Sequence, residues 1–182
     1  MLKMLKALLT TKQRGLEPMP SPANAVTPQK ICLNHAEATR ALGAKIAKCA
    51  RAGDHILLMG PLGAGKTTLV QGFVKALAPD AEPLSPTFTL LNIYPRVLDV
   101  PIYHYDLYRL DSPRDLVELS WFEDPHARIT LVEWPDRLGN ALPESRLDIA
   151  FGSADDRGRD VWLAGDGDWP ARLKAMDAAK TN

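Results

Sequence analysis

Eight residues, Gly60-Pro61-Leu62-Gly63-Ala64-Gly65-Lys66-Thr67, have the types and spacing to hold a phosphate chain. They complete the pattern G-x-x-x-x-G-K-[ST], a glycine-rich turn between a strand and a helix. Gly60, Gly63 and Gly65 let the backbone come close to an anion with no Cβ in the way. Successive loop amides, with Leu62 and Ala64 between the glycines and Thr68 closing the run, then form an anion nest. A helix starting near Lys66 aims the positive end of its dipole at the same point. Lys66 supplies a point charge to the β- and γ-phosphates, and the Thr67 hydroxyl supplies a ligand for Mg²⁺. A chance glycine-rich turn would not also bring the strand before it and the helix after it.

A site for Mg²⁺ and a nucleotide needs a carboxylate near the metal, usually at the end of a neighbouring strand. Asp106 ends the run Ile102-Tyr103-His104-Tyr105-Asp106, and Glu133 ends Ile129-Thr130-Leu131-Val132-Glu133. Ligands of open α/β sheets bind at such carboxyl ends. Either acid alone reads equally well as a solvated strand end; two of them beside one phosphate loop favour function. The guanine signature N-K-x-D is absent, and Asp155-Asp156-Arg157-Gly158 reads as a polar loop, so ATP is preferred over GTP.

Other elements must position these groups. Asn34 followed by Glu37 reads as a helix-capping box, with Ala38, Leu42, Ile46 and Cys49 recurring at helical spacing and Gly53 as the stop. Ile56-Leu57-Leu58-Met59 reads as a strand buried on both faces. A helix from about Lys66 to Leu77 follows the loop. Leu90 to Tyr94, Ile102 to Tyr105, Ile129 to Val132, Leu147 to Phe151 and Val161 to Leu163 read as strands. Ser112-Pro113-Arg114-Asp115 starts a capped helix reaching about Leu119, and Arg172 to Ala179 forms a last short one. The expected fold class is α/β: a phosphate-loop (P-loop) NTPase-like sheet, mostly parallel with antiparallel edge strands, flanked by helices.

Bulk properties narrow the function classes. The 182 residues suit one domain, and 46% hydrophobic with 24% charged residues is ordinary for a soluble globular chain. The 22 basic and 22 acidic residues cancel, which argues against a free-standing nucleic-acid binder. The two cysteines, Cys32 and Cys49, support neither a disulfide framework nor a zinc site and suit a reducing, cytoplasmic setting. No apolar run approaches the ~20 residues of a membrane span, so no membrane association is expected. Residues 1–30 read as a disordered or linker-like extension, basic at its start and rich in proline from Pro18 to Pro28. A transit peptide is the other reading of that start. The ATPase domain is expected over residues 31–182.

Four segments together carry a family resemblance. They are Gly60 to Thr68, Ser85-Pro86-Thr87-Phe88-Thr89-Leu90, His104-Tyr105-Asp106-Leu107-Tyr108-Arg109-Leu110 and Val132-Glu133-Trp134-Pro135. In this order and spacing the chain resembles the bacterial TsaE (YjeE) proteins over about Asn34 to Leu163. The resemblance implies an ATPase that assists synthesis of threonylcarbamoyladenosine in tRNA. It implies that Thr67 and Glu133 hold Mg²⁺ and that Asp106 acts beside the nucleotide. It implies that the segment around Thr87 senses the γ-phosphate, that Trp134 lies next to the metal acid, and that Arg159 is a late basic position near ATP. The implied partners are TsaD and TsaB, with tRNA reached through their complex.

From the residues alone, several readings stay open. Thr87 after Pro86 is either a positioned hydroxyl or part of a plain Ser-Pro turn. His104, Tyr105 and Tyr108 fit strand positions with one buried face, and His104 fits a structural histidine. Trp134 fits a partly buried core residue, and Arg109 fits pairing with a carboxylate, with a partner, or with nothing. No arginine finger is identifiable, so slow intrinsic turnover completed by a partner is expected. A small-molecule kinase and a nucleotide-binding adaptor without turnover are the competing classes.

Overall fold

The computed structural model describes residues 28–97, 100–152 and 158–178. The extension before residue 28, Asp155 to Arg157 and Ala179 lie outside the described residues. The strands are β1 (Gln29–Leu33), β2 (His55–Met59), β3 (Leu91–Val97), β4 (Val100–Asp106), β5 (Ile129–Glu133), β6 (Leu147–Phe151) and β7 (Arg159–Gly165). The α-helices are α1 (Ala36–Cys49), α2 (Lys66–Leu77) and α3 (Trp169–Ala178).

The strands form one seven-stranded sheet in the order β1-β7-β6-β2-β5-β4-β3. At its centre β6, β2, β5 and β4 run parallel, while β7, β1 and β3 add antiparallel edges. This is the expected mixed α/β sheet, and β1 adds an edge strand where the sequence marks only the domain's start. The parallel strands are apolar on both faces because both are covered. Ile56 and Leu58 face one cluster with Leu42, Ile46, Val70, Phe73 and Leu173, drawn from the three helices. Leu57 faces a second with Tyr105, Leu107, Leu116, Trp121 and Leu138, from β4 and the chain after β4 and β5.

Local signals set the helix boundaries, with two corrections. The cap of α1 is His35, whose Nδ1 accepts from the Ala38 amide at 3.1 Å, one residue past Asn34. The segment after Ser112 has the expected capping box, but it closes into a short 3₁₀ turn, Pro113–Leu116, instead of a helix to Leu119. There Leu116 is drawn into the second cluster, and the Trp121 amide donates to its carbonyl. No described helix is long and apolar enough to cross a membrane.

The α1–α2 crossing depends on two small residues. A Cβ on Gly43 would overlap the Leu69 carbonyl oxygen, and one on Gly72 would overlap the Arg40 carbonyl. Backbone has to give at such a contact, and overpacking typically costs ~1–3 kcal/mol. Gly43→Ala is therefore expected to lower Tm by several degrees in a thermal melt, at roughly 2–4 °C per kcal/mol for a chain of this size. An unchanged Tm would mean that the helices part freely.

Candidate functional site

The site lies at the carboxyl ends of β2, β4 and β5. Pairing register puts Leu58 beside Glu133 and Glu133 beside Asp106, so the two acids flank each other just past the phosphate loop. Parallel pairing brings these strand ends together although the residues are far apart in sequence.

The loop leaves β2 at Gly60 and enters α2 at Gly65. Gly65 caps the helix with φ 101°, ψ 17°, a left-handed conformation that glycine adopts without strain. At Gly60, φ is 143° and an added Cβ would stand 2.8 Å from the Phe151 carbonyl oxygen on β6. The tight turn and its neighbour strand both require glycine there.

Lys66 is nearly fully buried. Its Nζ donates to the carbonyls of Gly60 and Pro61, both at 2.9 Å, and sits 4.0 Å from the centroid of the Trp134 ring. Burial holds its pKa below the usual lysine value, and the Glu133 and Asp106 carboxylates partly oppose that shift. The cation is thus close to two acids but turned onto backbone oxygens.

Each acid has defined donors. Thr67 Oγ1 donates to Glu133 Oε1 at 2.8 Å, and His104 Nε2 meets the same oxygen at 3.0 Å. Thr87 Oγ1 donates to Asp106 Oδ2 at 2.7 Å, and the Tyr108 amide donates to Asp106 Oδ1 at 3.1 Å. Ser85 Oγ lies 2.7 Å from Thr87 Oγ1. Both acids are nearly inaccessible to solvent.

Two backbone outliers sit at this centre. Leu90 has φ 62° and Trp134 has φ 60°, in the left-handed region that non-glycine residues rarely occupy. Such positions cost about 1–3 kcal/mol each and persist where surrounding contacts enforce them. The Leu90 carbonyl accepts from the Asp106 amide, and the Trp134 amide donates to the Leu58 carbonyl on β2. The outliers turn the chain sharply beside each acid.

A cleft of about 290 Å³ opens over these groups, lined by Leu62 through Thr68, Ser85, Thr87, Asp106, Tyr108, Glu133 and Trp134. A hydroxyl and a carboxylate meeting at one point suit a hard cation, and a lysine at the head of α2 beside the glycine loop suits phosphate oxygens. No described cluster of three or more His, Cys, Asp or Glu could hold a metal by itself. Mg²⁺ is a hard cation that keeps several waters and takes one or two carboxylates plus substrate phosphates, and Thr67 with Glu133 offers donors of that kind.

The family model "Threonylcarbamoyl adenosine biosynthesis protein TsaE" matches residues 33–161. The chain belongs to the TsaE family. The TsaE protein of Rickettsia felis is 34% identical over 130 residues, covering 71% of this chain and 75% of that protein. The TsaE protein of Bacillus subtilis is 36% identical over 126 residues, covering 69% and 78%. The TsaE protein of Synechocystis is 44% identical over 109 residues, covering 56% and 66%. The crystal structure of Bacillus subtilis YdiB superposes with a TM-score of 0.71 at 28% identity, covering 87% of this chain and 100% of that one. TsaE proteins serve tRNA threonylcarbamoyladenosine biosynthesis.

The positions singled out in this TsaE chain do not all converge. Leu62, Gly63, Ala64, Gly65, Lys66, Thr67, Thr68, Thr87, Asp106, Glu133 and Trp134 line the cleft. Gly60 lies behind it, accepting from Lys66 through its carbonyl. Arg159 is behind the loop on β7, where Nη1 donates to the Ala64 carbonyl and stands 2.5 Å from the place of a Gly65 Cβ. It braces the loop from outside the cleft. Arg109 has its guanidinium 4.4 Å over the exposed Phe88 ring.

Tyr108 corrects the sequence reading. It stands past the end of β4, partly exposed, with its ring 4.9 Å from that of Trp134. Sequence reasoning also misses the contact of His104 with Glu133 and the place of Ser85 beside Thr87. Alternation along β4 puts His104 on the same face as Asp106, which is the available signal.

Proposed function

We propose that this chain binds Mg-ATP in the cleft and hydrolyses it slowly, as an accessory protein acting on a TsaD–TsaB complex in tRNA threonylcarbamoyladenosine formation. The observation that carries the reading is the meeting of Thr67 and Glu133 at 2.8 Å beside the Lys66 ammonium. The loop amides and Lys66 bind the phosphates, and Thr67 with Glu133 would hold Mg²⁺. The bound ion would supply positive charge to neutralise the phosphates.

In this reading Lys66 leaves the Gly60 and Pro61 carbonyls for phosphate oxygens, exchanging neutral acceptors for anionic ones. Asp106, held by Thr87 and the Tyr108 amide, orients a water molecule and accepts its proton. Thr87 links that acid to the Ser85–Leu90 segment, so a change at the γ-phosphate reaches the protein surface through Phe88. Among the described residues no arginine lines the cleft. Slow turnover by the isolated protein is part of this reading, with a partner supplying further charge. The proposed partners are TsaD and TsaB, tRNA is met through them, and the proposed workplace is the cytoplasm.

Phosphate release from ATP tests this directly, measured with the chain alone, with TsaD–TsaB, and with a panel of small hydroxyl acceptors. Low release alone and a rise with the partners is expected. Acceptor-dependent ADP formation would instead make the protein a kinase, and tight binding without turnover in every condition would make it an adaptor. Glu133→Gln should keep ATP affinity in EDTA while losing about 10- to 100-fold of the Mg²⁺ dependence, since the neutral amide is a poor ligand for a hard cation.

A further inference from the structure

We infer that His104 is a positioning residue that aims the Glu133 carboxylate at the metal; the inference rests on the Mg-ATP reading of the cleft. His104 is fully buried on β4, two residues before Asp106 and on the same face. A carboxylate can only accept, so the 3.0 Å contact has His104 Nε2 donating to Glu133 Oε1. The same oxygen takes the Thr67 proton at 2.8 Å. Both donors hold one edge of the carboxylate from different elements. The strand-borne imidazole would keep its hold on Oε1 even if the Thr67 hydroxyl were engaged elsewhere, and neither of these two donors occupies Oε2.

Packing does not account for an imidazole here. His104 Nδ1 is buried with no hydrogen-bond partner. An orphaned buried polar atom is unfavourable and calls for an explanation. Leucine at this position would fill similar space without that penalty. What leucine lacks is the N–H to Glu133. Groups that hold a metal ligand in orientation in this way usually tune the metal's affinity.

Calorimetric titration of the full chain with a non-hydrolysable ATP analogue, in EDTA and across Mg²⁺ concentrations, tests the assignment. In His104→Leu the Mg²⁺-dependent gain in affinity should shrink by about 10- to 100-fold while affinity in EDTA stays within about twofold. His104→Gln, which restores an N–H, should recover most of the gain. A wild-type Mg²⁺ response in His104→Leu overturns the inference. So does an equal loss with and without Mg²⁺, the outcome of a merely structural role. Should His104→Leu fail to fold, His104→Asn and His104→Gln carry the same comparison: the shorter amide loses the Mg²⁺ response and the longer keeps it. Wild-type protein without Mg²⁺-dependent binding would sink the Mg-ATP reading itself, which separates that failure from failure of the role given to His104.

Discussion

Lys66→Ala is expected to leave a folded protein that no longer retains ATP. Hydrogen bonds to charged groups contribute about 1.5–3 kcal/mol each, so losing the ammonium's contacts with two phosphates should weaken binding by about 10²–10⁴-fold. The folded state has little reason to suffer. Lys66 is a buried cation with a depressed pKa, and burial is the main cause. Removing it relieves that desolvation and leaves the Gly60 and Pro61 carbonyls without one donor, two effects of opposite sign. Thermal melts make the distinction. Wild-type Tm should rise with Mg-ATP, since a ligand at 100 times its Kd stabilises by about 2.7 kcal/mol. The alanine variant should melt near the wild-type apo temperature and ignore the nucleotide. A variant that still shifts with Mg-ATP would remove the central claim about the loop.

The parts of the molecule legible in the sequence are those written in local residue types. The phosphate loop needs glycines at fixed offsets, and β2 is apolar on both faces, so both are readable within about fifteen residues. Asp106 and Glu133 stand out because each ends an apolar run. Their mutual register, in contrast, depends on β4 and β5 pairing in parallel, and no local pattern encodes which strands become neighbours. The same limit hides the role of His104, whose partner is 29 residues away across that pairing. Gly43 and Gly72 break helical periodicity only mildly, and their reason is the backbone of another helix. Tyr108 misleads because alternation continues past Asp106 in the sequence, whereas β4 stops there and the chain turns across the cleft. The capping residue of α1 shifts by one because His35 competes with Asn34, and an imidazole acceptor is not among the preferred caps.

Asp106→Asn should separate binding from turnover. Its Oδ1 can still accept from the Tyr108 amide, and the new amide nitrogen can donate to Thr87 Oγ1 where Oδ2 accepted before. The geometry is conserved, but an amide cannot take a proton from water. General-base assistance is worth roughly 10²–10⁴-fold, so partner-stimulated phosphate release should fall by about two orders of magnitude or more. Affinity for Mg-ATP should hold, because in the proposed reading Asp106 touches neither the loop amides nor Lys66. Reversing the Thr87 hydrogen bond also bears on signalling. Thr87 would have to accept from the introduced amide and direct its own proton to Ser85, at 2.7 Å, or to the cleft. If the Ser85–Leu90 segment transmits the state of the γ-phosphate, this variant should bind ATP yet respond to the partner complex abnormally, whereas Thr87→Val should lose the response and keep the acid. Measuring the ATP Kd by calorimetry and phosphate release with and without TsaD–TsaB for the two variants decides the matter. Wild-type turnover in Asp106→Asn would strip Asp106 of its chemical role. A collapse of ATP affinity in the same variant would move Asp106 from turnover to binding.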